Sequence, residues 1–88
     1  NITVLKAGHH GALGVVNEDM LKILQPKFAL ISVGQNKFGH PATYTLKVLK
    51  GTKILRTDIN NCVKFVVGKN TLKVYSFNIR KKRFVKIY

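Results

Sequence analysis

Carboxylates are nearly missing from this 88-residue chain: Glu18, Asp19 and Asp58 are the only acids, against sixteen lysines and arginines, for a net charge of +13. That scarcity excludes a self-contained acid–base pair of carboxylates and a divalent-ion cage built from the chain's own acids. It also separates the charge from simple lysine-favouring codon bias, which raises acids as well. A basic surface suited to nucleic acid or another polyanion is the expectation. Tryptophan is absent and cysteine occurs once, at Cys62, so no intrachain disulfide can form. Lying in an apolar run, Cys62 reads as a buried thiol. No apolar run is long enough to span a bilayer, and no signal-peptide pattern is present. Starting on Asn1 directly before a strand, the chain reads as a soluble piece cut from a larger protein.

At 45% apolar residues the sequence is rich enough to fold, and 88 residues suit at most one domain. "ITVLKA" predicts a strand over 2–7. "VNEDMLKILQP" predicts a short helix: Asn17 as N-cap, Glu18 and Asp19 at the positive end of the helix dipole, Val16 stapling onto Leu21, and Pro26 as the stop. Leu21 and Leu24, with Met20 adjoining, form the buried stripe. "FALISVG" is a strand covered on both faces. "TYTLKVLKG" is a second helix, capped by Thr43 or His40, turning Leu46 and Leu49 inward and ending at Gly51. "KILRT" is a third strand. Strands and helices alternating over short connections argue for an α/β layer.

Beyond Asp58, read as a turn residue, the pattern changes to hairpins without helices: "CVKFVVG", "TLKVYSF" and "RFVKIY". Val63, Phe65 and Val67 make one apolar face. Residues 1–58 thus carry the α/β part and residues 59–88 basic β-hairpins.

His9 and His10 stand side by side on a glycine turn after the first strand, and His40 stands on the loop before the second helix. Loops at strand ends are where α/β sheets place their chemistry, and neutral imidazole is a common metal ligand. Three histidines on two such loops make a rim without completing a metal site. The alternative is a turn of solvated imidazoles. Lys37 and Phe38 read either as a charge with a stacking platform for single-stranded DNA or, for Phe38, as a core plug. Tyr44 reads as helix packing. Arg80, Lys81, Lys82 and Arg83 read as a solvated turn or as a phosphate clamp.

"LKAGHHGA", "PKFALISVGQNKFGHP" and "KILRTD", in that order and spacing from Ile2 to Asp58, resemble the C-terminal half of the metallo-β-lactamase-like domain of the ComEC competence proteins, which move transforming DNA across the bacterial inner membrane. The resemblance implies the second half of an αββα sandwich. The missing first half, with its His-x-His-x-Asp-His cluster, would be a necessary partner and should be recognisable in the sequence preceding this segment. The resemblance further implies that His10 is a metal ligand, that His9 faces substrate, and that His40 belongs to the opposite rim. The cofactor would be divalent zinc or manganese in the complete domain, the partner single- or double-stranded DNA, and the place an extracytoplasmic domain of a membrane protein. Ala12 stands where that family usually has serine, and Asn60–Asn61 where it commonly has a glycine turn. The implied function is that of a segment of a metal-dependent phosphodiesterase, inactive alone. A non-catalytic nucleic-acid-binding module, or a metallo-hydrolase acting on a small phosphoester or lactone, are the alternatives. Half a sandwich leaves a sheet face and an edge uncovered, so self-association is also expected.

Overall fold

The computed structural model describes residues 3–88; Asn1 and Ile2, the latter assigned to the first strand from sequence, lie outside the described residues. Strands β1 (Val4–Ala7), β2 (Phe28–Ile31) and β3 (Lys53–Arg56) form a parallel sheet in the order β1-β2-β3. Its register sets Val4 against Phe28 and Phe28 against Lys53. The crossovers carry helices α1 (Glu18–Leu24) and α2 (Thr43–Val48). A one-turn helix α3 (Thr57–Asn60) leads to an antiparallel meander of β4 (Val63–Val67), β5 (Leu72–Asn78) and β6 (Arg83–Lys86).

Strand alternation sorts the side chains into two cores. Ala7, Ala29 and Ile31 pack with Val16, Val33 and Leu49 beneath the helices, joined by Met20, Leu21 and Leu46. Phe28 and Leu55 point to the other face, where they meet Val74 of the second sheet, with Leu30, Val63 and Phe65 around them. The layers therefore run helices, parallel sheet, antiparallel sheet. β2, apolar at every position, is the strand clad on both faces. Lys64, Val66, Lys73 and Lys86 are exposed on the outer face of the meander, which no layer covers among the described residues. No helix of the described residues is long and apolar enough to cross a membrane.

Helix α1 has the expected cap: the Met20 N–H donates to the Asn17 side-chain oxygen at 2.9 Å. Its end is a left-handed Gln25, just before Pro26. Other expectations need correction. Neither Thr43 nor His40 caps α2, whose N-cap is Ala42 without any side-chain bond. Asp58 lies not in a bare turn but in α3, and Arg56 reaches across to it with Nε at 3.0 Å and Nη2 at 2.7 Å. Cys62 is exposed, although its carbonyl accepts from the Phe77 N–H at 2.9 Å just before β4. Val67, at the end of β4, is 77% exposed, although Val63 and Phe65 of the same strand pack against the second core. Tyr44, on the outer side of α2, is also exposed.

Candidate functional site

All three histidines gather at the carboxyl end of the parallel sheet. Directly after β1 the chain makes a 3-10 turn, His9–Gly11, closed by Gly11 N–H to the Gly8 carbonyl and Ala12 N–H to the His9 carbonyl, both 3.0 Å. His9 (φ 48°) and His10 (φ 56°) are both left-handed, a conformation that L side chains enter at a cost of about 1–2 kcal/mol each. Neighbouring contacts hold them there. His10 Nδ1 lies 2.7 Å from the Ser32 carbonyl at the end of β2, and the Ala42 N–H donates to the Gly11 carbonyl at 2.9 Å. Gly11 is left-handed as well, and a Cβ there would sit 2.7 Å from Pro41 Cβ. The absence of a side chain lets the two histidine-bearing loops touch.

The second loop is organised by Asn36. Its Nδ2 donates to the carbonyls of Gly34 (3.0 Å) and His40 (2.9 Å), while its Oδ1 accepts from the N–H groups of Phe38 and His40, each at 3.0 Å. One side chain thus closes the loop around itself and sets His40 opposite the glycine turn. The ring centroids of His9, His10 and His40 form a near-equilateral triangle with sides of 6.1, 6.3 and 6.5 Å. His10 and His40 line a cleft with Val33, Gly34, Asn36 and Phe38. Phe38 is 82% exposed and stacks on His40 with centroids 5.9 Å apart, so the core-plug reading is corrected.

A carbonyl oxygen can only accept, so the 2.7 Å contact to Ser32 requires the hydrogen on Nδ1 of His10. In the neutral ring Nε2 then carries the free lone pair. Nδ1 bonded to a backbone carbonyl is the support that ligating histidines commonly receive. The donor set nevertheless stops short of a cage: among the described residues no group of three or more His, Cys, Asp or Glu is placed to hold a metal ion. His10 fits one ligand of such a site, and the remaining ligands would come from outside the described residues.

A chain of contacts ties this rim to the second sheet. The Thr57 hydroxyl accepts from the Val33 N–H (2.8 Å) and donates to the Val33 carbonyl (2.9 Å), fixing the end of β3 to the end of β2. The Ser76 hydroxyl donates to the Asn60 carbonyl, and Asn61 Nδ2 donates to the Phe77 carbonyl at 3.1 Å. Asn61 has a positive φ (61°) with ψ −138°, outside the αL basin. The far end of β5 therefore lies at the histidine end of the molecule, while the β4–β5 turn lies by Thr3 and Lys27 at the other. Arg80, Lys81 and Lys82 follow β5 as an exposed turn that leads into the exposed Arg83 of β6, anchored by Lys81 N–H to Asn78 Oδ1 at 2.9 Å. The histidines and the basic turn share one end. Lys37 is exposed on the His40 loop, on that same end.

Sequence reasoning found these histidines and bases but missed what arranges them. Gly11, Asn36, Thr57 and the Ser32 carbonyl carry that task. Asn36 between Gly34 and Gly39 is a legible loop-closing signal; a backbone carbonyl is not.

With parallel strands delivering a histidine rim at their carboxyl ends, the architecture is that of an α/β segment whose histidines gather on strand-end loops. The chain is 42% identical over 65 residues to ComE operon protein 3 of Bacillus subtilis, an alignment covering 70% of this chain and 8% of that protein. It is 33% identical over 89 aligned positions to competence protein ComA of Neisseria gonorrhoeae, covering 92% of this chain and 13% of that relative. The chain thus spans about an eighth or less of the length of either relative. No family model matches it, and no solved structure does.

Proposed function

We propose that this chain is the late half of a metallo-β-lactamase-like, metal-dependent phosphodiesterase domain in a ComEC-type competence protein, acting on DNA during uptake. A relative named competence protein ComA, together with the ComE operon protein 3 of Bacillus subtilis, supports the competence setting. The observation that carries the catalytic reading is the tethering of His10: its Nδ1 hydrogen is committed to Ser32, leaving Nε2 as a lone-pair donor on a rim shared with His9 and His40. Two successive histidines held left-handed support it further, since such strain persists where the surroundings over-determine it and gathers at functional sites.

In this reading His10 is a metal ligand, His9 meets the substrate phosphate, and His40 closes the opposite rim. A zinc or manganese ion, when bound, would supply Lewis acidity toward a phosphoryl oxygen. The carboxylates that such a centre uses would come from the preceding half of the domain. Arg80, Lys81, Lys82, Arg83 and Lys37 hold the DNA backbone, single- or double-stranded, at the histidine end. The parent would sit in the inner membrane with this domain outside the cytoplasm. Self-association, if the edges β1 and β3 pair between copies, would show as dimers in sedimentation equilibrium, and a stable monomer at high concentration would contradict it.

The test joins the chain to the preceding segment of its own protein and measures cleavage of labelled DNA. The expected result is metal-dependent cleavage by the joined domain, abolished by His10→Ala, and none by the chain alone. Cleavage by the chain alone that depends on His10 would overturn the half-site, and an inert joined domain that still binds metal would overturn the phosphodiesterase reading.

A further inference from the structure

We infer that Phe38, backed by His40, is a stacking platform for a nucleobase of single-stranded DNA, an inference that rests on the nucleic-acid reading above and adds what is recognised besides phosphate. An exposed apolar side chain alone is ordinary; Phe38 differs in being held. It is 82% exposed and takes no part in either core, yet its loop is closed on both sides by the four hydrogen bonds of Asn36. The His40 ring lies behind it at 25° and 5.9 Å, which fixes one face of the phenyl group and leaves the other for a ligand. It also borders the cleft that contains His10 and His40, so a base resting there would set its own phosphate near the imidazoles.

The chemistry selects the occupant. A flat ring beside an exposed lysine, Lys37, in a chain of net charge +13 matches an anionic ligand that also presents aromatic faces. Within a duplex those faces are stacked on one another and only edges and phosphates are open, so the platform favours a single strand or a frayed end. Stacking of this kind is tolerant of sequence, because every base has a face to offer. The geometry therefore assigns strand form, not base identity, to Phe38.

The chain has no tryptophan, so Phe38→Trp places a single reporter at the platform, on a side chain whose exposure spares the fold. The probes are labelled oligothymidylate, an abasic oligonucleotide of equal length, and a duplex, followed by anisotropy and by Trp emission. Expected are quenching by oligothymidylate but not by the abasic strand, and a roughly tenfold loss of oligothymidylate affinity in Phe38→Ala. Abasic and duplex affinities should stay unchanged in that variant. Equal affinities of Phe38→Ala and the parent chain for oligothymidylate, or silent Trp emission while anisotropy reports binding, would overturn the stacking role and leave phosphate recognition standing. Failure of all three probes to bind would overturn both.

Discussion

Gly11 shows how much of the site depends on one missing side chain. It is left-handed, and its Cβ position lies 2.7 Å from Pro41 Cβ and 3.2 Å from Ile31 Cγ2. Gly11→Ala combines a disfavoured backbone with a clash against two packed residues. A loss of about 2–4 kcal/mol in urea denaturation is expected, together with displacement of His40 from His9 and His10. Pro41 cannot yield without moving the backbone it belongs to. Asp58 offers a second, independent residue-scale test. The guanidinium of Arg56, donating from two nitrogens, holds the Asp58 carboxyl below its ordinary value of 3.8. A depressed native pKa adds stability that is fully present above the unfolded value and is lost as pH falls through the native one. Denaturation midpoints of the parent chain and Asp58→Asn should therefore differ near pH 7 and converge in acid, as pH falls through the depressed native pKa. A gap of equal size at both pH values would show that the pair does not act through its charge. The effect is small, since both partners are partly solvated.

At the scale of elements, hydrophobic periodicity made most of the fold legible. β2 was readable from an uninterrupted apolar run, α1 from Asn17 and its acidic first turn, and the meander from alternating strands around "GKN" and "NIRKK". What stayed hidden depended on contacts between distant segments. α3 is four residues long, stabilised by Asn60 Oδ1 accepting from the Arg56 N–H at 2.9 Å, and no periodic signal exists at that length. Cys62 and Val67 sit in apolar surroundings in sequence but are exposed, just before β4 and at its end, in space. The histidines were legible as candidates, whereas their convergence required Gly11, Asn36 and the Ser32 carbonyl, which meet only in the folded chain. The His40 loop gives the element-scale test. Asn36→Ala removes four hydrogen bonds from an exposed loop and none from either core. Amide exchange over residues 34–40 should accelerate at least tenfold while the thermal midpoint falls by only a few degrees. Unchanged exchange would mean that the loop is ordered by something other than Asn36.

Over the whole molecule, charge and layering act together. Hydrogen bonds from Thr57 to Val33 and from Ser76 to Asn60, at the two ends of α3, tie the parallel sheet to the meander and keep the basic turn at the histidine end. That turn and the imidazoles should consequently engage one stretch of DNA. Replacing Arg80, Lys81, Lys82 and Arg83 by glutamine should lower the slope of log affinity against log salt on single strands by roughly 0.7 for each phosphate no longer neutralised. An unaltered slope would place the DNA elsewhere on this basic chain.

The most direct measurement records the ring nitrogens of His10 by long-range ¹H–¹⁵N correlation in the ¹⁵N-labelled chain, before and after adding zinc. With its Nδ1 hydrogen held by Ser32, His10 should appear as the Nδ1–H tautomer, and zinc should shift its Nε2 resonance first. A His10 found as the Nε2–H tautomer, or one that zinc leaves untouched while other groups respond, would contradict the assignment of this ring as a ligand.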